Sequence, residues 1–247
     1  MLKRFLWLHL YGGNQFALWV LIMDLEKPTF HILSKPVFEK PVLVEGLPGF
    51  GNVGKLSARL LTEFTRAEVF TELYSPSFPD FVNVEKDGIA RPPHYEFSKA
   101  VFGKAEFLVL TGDAQPVRED VVAHYRLCSE ILDFAEQFGC KFLATMGGVP
   151  QPRPAGEVYV AATSAKLAVE TMEKGAVLYG SGRIAGAAGL MLGLAKERGW
   201  EGICLLGATT GLKADKNAAF NVFKFLMRLF GVEAGLNNRK DESQENP

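Results

Sequence analysis

Gly49-Phe50-Gly51-Asn52-Val53-Gly54-Lys55 meets two nucleotide-binding patterns at once. Gly49, Gly51 and Gly54 stand at G-x-G-x-x-G spacing. Between a strand and a helix, that spacing brings backbone N–H groups up to a pyrophosphate. Gly49 to Lys55 also fill the first seven positions of G-x-x-x-x-G-K, whose lysine reaches the outer phosphates. Glu68 and Glu72, about 20 residues on, are of the type that holds a ribose hydroxyl. Three details oppose these readings. Gly46-Leu47-Pro48 separate the preceding strand from the first glycine, so the turn is not tight. Glu45 places negative charge close to the phosphate position. Leu56 stands where a Ser or Thr must hold magnesium, and Ser57 comes one residue late, about 100° around a helix. The competing reading is a backbone turn whose glycines permit positive φ or close packing of helix on strand. Gly49, Gly51, Gly54 and Lys55 are carried forward as the candidate cofactor-binding residues.

The other reactive residue types are scattered. Gly180-Ser181-Gly182-Arg183-Ile184-Ala185-Gly186 is a second glycine loop, and Gly186, Gly189 and Gly193 fall at helical spacing. That spacing predicts a helix packed tightly on a neighbouring backbone. There is no G-x-S-x-G elbow, so a serine hydrolase lacks its signature. The three cysteines, Cys128, Cys140 and Cys204, have no C-x-x-C spacing, and they read as buried thiols of a reducing cytoplasm. His9, His31, His94 and His124 form no H-x-x-x-H pair, so no metal is expected. Glu45, Asp113, Arg153, Arg183 and Thr209-Thr210 fall at strand ends, where open α/β sheets bind ligands. No pair among them has a spacing that demands chemistry, so no catalytic residue is assigned.

These residues need elements to position them. PVLVEG (41–46), AEVFTELY (67–74), AEFLVLTGD (105–113), KFLATMGG (141–148), EVYVAAT (157–163), AVLYG (176–180) and EGICLLGATTG (201–211) read as strands. Helices are predicted over 52–65 with Asn52 as cap, over 117–138 ending at Gly139, around 164–173, after the second glycine loop to 200, and over 215–230 capped by Asp215. Continuous apolar strands alternating with helices predict an α/β fold, a mainly parallel sheet covered on both faces. Lys86-Asp87-Gly88-Ile89 marks a small β-hairpin insertion near 76–104. One domain spans 23–236. Residues 237–247 are polar and expected to be disordered. Residues 1–22 are apolar but broken at Tyr11-Gly12-Gly13-Asn14-Gln15. Two readings stay open there: a hairpin, or an extension ahead of a true start at Met23. No apolar run reaches the roughly 20 residues of a membrane span. With 22% charged residues and a net charge of −1, the chain offers no field for nucleic acid or an anionic membrane. A cytoplasmic protein with protein or small-molecule partners is expected.

The order of motifs resembles a known family. LVEGLPGFGNVGKLSARLL, then SPSFPDF, FLVLTGDAQP, TMGGVPQPRP, GSGRIAGAAGLMLGLAKERGWEGICLLGATTG and the DKNAA helix resemble the PAC2 family (proteasome assembly chaperone 2 family) over roughly 35–230. The resemblance implies a nucleoside-phosphorylase-like α/β fold with no established catalytic centre and no cofactor. It implies an ATP-independent assembly chaperone that forms oligomers and binds proteasome α-subunits or another PAC2-family protein. Some members dock through a terminal hydrophobic-Tyr-any motif. This sequence ends Glu245-Asn246-Pro247, so the resemblance does not extend to that motif. Aromatic excess in 76–97 and on the 215–230 helix makes Phe78, Phe81, Tyr95, Phe220, Phe223, Met227 and Phe230 candidate interface residues. The competing reading is a helix buried within the monomer. The alternatives in function are a hydrolase or phosphorylase-like enzyme at the strand-end cleft, or a nucleotide-binding regulator using loop 46–55.

Overall fold

The computed structural model describes residues 27–231; the readings made for 1–22 and 237–247 lie outside them. Eleven strands and five α-helices form in the order β1 (Thr29–Ile32), β2 (Val42–Gly46), α1 (Val53–Thr65), β3 (Glu68–Tyr74), β4 (Asn83–Val84), β5 (Ala90–Arg91), β6 (Tyr95–Phe102), β7 (Ala105–Gly112), α2 (Val121–Glu136), β8 (Phe142–Pro150), β9 (Val158–Ala162), α3 (Ala165–Glu173), β10 (Val177–Leu178), α4 (Ala187–Glu197), β11 (Glu201–Thr209) and α5 (Lys216–Leu229).

Nine strands make one sheet, ordered β1-β3-β6-β7-β2-β8-β11-β9-β10. Its centre, β7-β2-β8-β11, is parallel throughout, as the apolar runs predict. The margins are mixed. β1–β3, β3–β6, β6–β7 and β11–β9 are antiparallel, and β9–β10 is parallel. The α/β class therefore holds, with parallel order concentrated at the centre. Two strands went unread in the sequence, β1 and β6. β6 pairs with β7 through the two-residue turn Gly103-Lys104, where Phe102 faces Ala105 and Gly103 takes φ +59°. The insertion is consequently narrower than predicted. Only β4 and β5 form the separate hairpin, paired Asn83↔Arg91 and Val84↔Ala90, while residues 95–102 belong to the main sheet.

Alternation along β2 sets the two cores. Val44 faces a cluster with Val53, Leu61, Val222 and Phe223, from α1 and α5. Leu43 faces a second cluster with Leu127, Ile131, Met191 and Ala195, from α2 and α4. The chain leaves β2 through α1 towards β3 on one side. It leaves β8 towards β9, beyond β11, on the other. The carboxyl ends of β2 and β8 thus flank a crevice where the connections diverge, the usual ligand position in open α/β sheets.

The interface candidates are largely core residues. Tyr95, Phe223 and Met227 are buried within the chain, which corrects their reading as interface candidates. α5 is apolar on more than one face because it packs on α1 and on β11 together. Phe223 meets Phe64 with ring centroids 5.7 Å apart, and Phe230 meets Phe107 at 5.1 Å. Phe78 stacks obliquely on Tyr95 at 4.6 Å. Phe78, Phe220 and Phe230 are half-buried. Of the seven, only Phe81 is exposed.

Candidate functional site: the crevice between β2 and β8

The glycine loop closes on the protein itself. Gly54 packs so tightly on β8 that a Cβ there would lie 2.3 Å from the Met146 carbonyl oxygen. Gly51 takes φ +59°, and its carbonyl accepts the Asp215 N–H at 2.8 Å. Gly148 on β8 lets the Phe50 carbonyl oxygen approach to 2.3 Å of where a Cβ would stand. Gly49 is extended, with open space where a Cβ would lie, and needs no glycine. Asn52, expected to cap α1, adopts φ 54° and makes no side-chain cap bond. The dinucleotide reading also fails by topology. β3, which carries Glu68 and Glu72, lies beyond β6 and β7 rather than beside β2. Glu72 accepts a hydrogen bond from the Tyr74 hydroxyl at 3.0 Å.

Lys55 points to a carboxylate of its own chain. Its Nζ lies 3.5 Å from Asp113 Oδ1. Asp113 Oδ2 accepts from Arg91 Nη1 at 2.5 Å and from the His94 backbone N–H at 3.2 Å. Arg91 Nε donates to Glu85 Oε1 at 2.7 Å. Since a guanidinium only donates, His94 Nδ1 accepts from Arg91 at 2.8 Å, leaving Nε2–H to donate to Glu96 at 3.3 Å. Burial pushes the Asp113 carboxyl up. The Arg91 and His94 hydrogen bonds and the Arg91 and Lys55 charges outweigh it and hold the carboxyl below its usual range. This cluster anchors the β4–β5 hairpin to the end of β7. The sequence reading named Lys55 and Asp113 as candidates, set His94 aside as a lone histidine and did not name Arg91; the last two become partners only when the hairpin folds back.

The crevice itself is a cleft of about 1220 Å³. Glu45 sits at its floor on the α2–α4 side and is 1% exposed. Its Oε1 accepts the Leu47 N–H at 3.0 Å, and its Oε2 has no hydrogen-bond partner among the described residues. Burial pushes this carboxyl up to about 8, against the opposing pull of the Leu47 and Met146 backbone amides. Glu45 is therefore neutral at pH 7, which removes the expected negative charge from the strand end. Gln115 ties the two glycine loops together: its Nε2 donates to the Pro48 carbonyl at 2.6 Å, and its Oε1 accepts the Ala187 N–H at 2.9 Å. Nothing in the sequence singled out this residue beyond its place after the TGD strand end.

Arg183 reaches the cleft wall, whereas Arg153 is exposed and does not line the cleft. Thr209 is buried in a structural role, its hydroxyl donating to Asp215 Oδ2 at 2.8 Å and accepting the Gly211 N–H at 3.1 Å. Thr210 is exposed. The tight packing on backbone predicted for the second glycine loop holds at Gly189 and not at Gly193. Gly189 abuts Ile184 of its own loop, while Gly193 is exposed with open space around it and lines the cleft. All three cysteines are buried and free, and burial pushes each thiol up to about 12, too high for nucleophilic use. Among the described residues there is no cluster of His, Cys, Asp and Glu able to hold a metal, and no helix is long and apolar enough to cross a membrane.

Comparison with known proteins extends this picture. The family model described as PAC2 family matches residues 43–245. The Methanocaldococcus jannaschii protein MJ1210 is 35% identical over 201 residues, covering 80% of this chain and 77% of the relative. The crystal structure of Pyrococcus furiosus PbaB, described as an archaeal proteasome activator, superposes with a TM-score of 0.79 at 33% identity. That match covers 89% of this chain and 97% of PbaB. Pyrococcus furiosus PbaA, described as an archaeal homologue of proteasome-assembly chaperone, shares the fold at a TM-score of 0.70 and 22% identity, covering 87% of each chain. The family model over residues 43–245 and these relatives bear out the resemblance carried by the motifs from LVEGLPGFGNVGK to the DKNAA helix: the chain belongs to the PAC2 family.

Proposed function

We propose that this protein is a scaffold for proteasome assembly or activation, a cytoplasmic homo-oligomer that binds proteasome α-subunits without using ATP. One observation carries the reading: the match to PbaB, over nearly the whole of both chains. The closed glycine loop supports it, since Lys55 is paired with Asp113 and the Asn52 N–H donates to the Gly49 carbonyl within the loop. The contact surface we assign is the β4–β5 hairpin. Phe81, Val82, Val84 and Ile89 are all exposed there, between 42% and 65%. A cluster of large apolar side chains held out on a small hairpin costs hydration free energy unless a partner covers it. The Arg91–Asp113 anchor presents that hairpin in a fixed pose.

Native mass spectrometry of the protein mixed with archaeal proteasome α-subunits tests the proposal. The expected result is a complex that Ile89→Asp and Phe81→Asp each weaken at least tenfold without lowering the melting temperature. If the wild-type protein forms no complex, the scaffold reading fails. If both variants bind like wild type, the hairpin assignment fails.

A further inference from the structure

The floor of the β2–β8 cleft holds a carboxyl group with one oxygen that the fold leaves unsatisfied. Glu45 and Thr145 are register partners on neighbouring parallel strands, 1% and 0% exposed. Among the described residues, Glu45 Oε2 has no hydrogen-bond partner, nor has the hydroxyl of Tyr95, which is 1% exposed and does not line the cleft. An unsatisfied buried polar group costs about 1–3 kcal/mol, so a free Glu45 oxygen on a residue that lines an open cleft is not explained by folding alone. Tyr95 on β6, Cys128 on α2 and Cys204 on β11 face Glu45, and no charged group of the described residues lies among them. The ionisable groups of the cleft, His124, Arg118, Arg183 and Glu197, stand on its α2, α4 and loop walls.

We propose that this cleft is a binding site for a small planar amide or lactam, read by the Glu45 carboxyl. With Oε1 accepting from Leu47, the carboxyl proton resides on the free Oε2. A neutral carboxyl then offers a donor, and Oε1 keeps a second lone pair as acceptor. An amide or lactam presents the matching acceptor and donor side by side, so the two pair through two hydrogen bonds. A charged partner is disfavoured because no opposite charge among the described residues stands beside this buried floor to offset its desolvation. Room for a flat ring comes from Gly147 on β8 and Gly193 on α4, which line the cleft without a side chain. Aromatic and aliphatic walls, Tyr125, Tyr179 and Leu190 among them, suit the faces of such a ring. The site is separate from the β4–β5 hairpin, so it stands or falls independently of the scaffold reading.

The test uses the full ¹⁵N-labelled chain and two probes that stay neutral between pH 7 and 9, nicotinamide and 2-pyridone. Both are expected to shift the Gly147 and Gly148 amide resonances at pH 7. Affinity is expected to fall about tenfold by pH 9, as Glu45 loses the proton that it donates. Glu45→Gln keeps a donor and an acceptor, so its affinity should be retained and should not change between the two pH values. Glu45→Leu should abolish binding. The proposal is overturned if neither probe moves the cleft glycines, if Glu45→Leu binds as wild type does, or if Glu45→Gln shows the same fall with pH. Should Glu45→Leu not fold, the contrast between wild type and Glu45→Gln decides alone.

Discussion

At the residue scale, two carboxyl groups with opposite shifts dominate. Glu45 is held near 8 by burial, well above its unfolded value near 4.5. The folded state therefore binds the proton more tightly, and the contribution of Glu45 to stability is fully present below pH 4.5 and is lost as pH rises towards 8. Glu45→Gln should remove that slope. The check is the melting temperature of both proteins from pH 5 to 9, in which only the wild type should fall. Asp113 behaves in the reverse sense. Burial opposes its charge, but Arg91 and Lys55 hold its carboxyl low, so its contribution is present above the unfolded value and lost as pH falls below about 4. Asp113→Asn should cost about 1–3 kcal/mol in urea unfolding, since it weakens the Arg91 pair at 2.5 Å. Lys55→Ala should cost under about 1 kcal/mol, because Lys55 is one-third exposed and its pair is long. It should also leave α-subunit binding intact.

At the element scale, the β2–α1 turn is a packing device. Gly54 lies against the Met146 carbonyl, so Gly54→Ala drives a methyl into backbone that cannot move aside. The expected cost is about 1–3 kcal/mol. Gly49→Ala has open space and extended backbone, and should stay within about 0.5 kcal/mol of wild type. Equal effects of the two substitutions in denaturant titrations would contradict this account of the loop. The spacing of the three glycines was legible in the sequence. Their separate roles were not, because G-x-G-x-x-G records positions and not what stands opposite each of them. The caps divide in the same way. Asp120 and Asp215 accept N–H groups of their own helices, at Ala123 and Ala218, and Asp215 was readable as a cap. Asn52 sits where a cap is expected, yet the left-handed backbone that the turn requires points its side chain elsewhere.

At the scale of the whole molecule, aromatic residues fill the cores on both faces of the sheet. Phe223→Ala should cost about 3–5 kcal/mol, with the loss seen in unfolding and not in the mass of the native assembly. Sedimentation of the variant at native temperature checks this. A change of oligomeric mass without a loss of stability would return Phe223 to the surface. The exposed apolar side chains of the hairpin carry the opposite expectation, a loss of association with no loss of stability.

Much of this protein is determined by local sequence. The central strands, α1 to α5 and the β4–β5 turn follow from apolar period, caps and glycine stops, which act within a few residues of one another. The ordered motifs that resemble the PAC2 family belong to this local record as well. The tertiary structure decided the rest, because the deciding partners are distant in sequence. β3 pairs with β6 and not beside β2, which removes the acidic residues from the glycine loop. Asp113 meets Arg91 and Lys55 only after β6 returns the chain to β7. The apolar faces of α5 turn inward because α1 and β11 occupy both sides of it. Glu45 is ordinary in sequence; burial by strands and helices from across the chain makes it a neutral carboxyl at the floor of a cleft. A side chain's type is written locally, but its dielectric surroundings and hydrogen-bond partners come from contacts that only folding assembles.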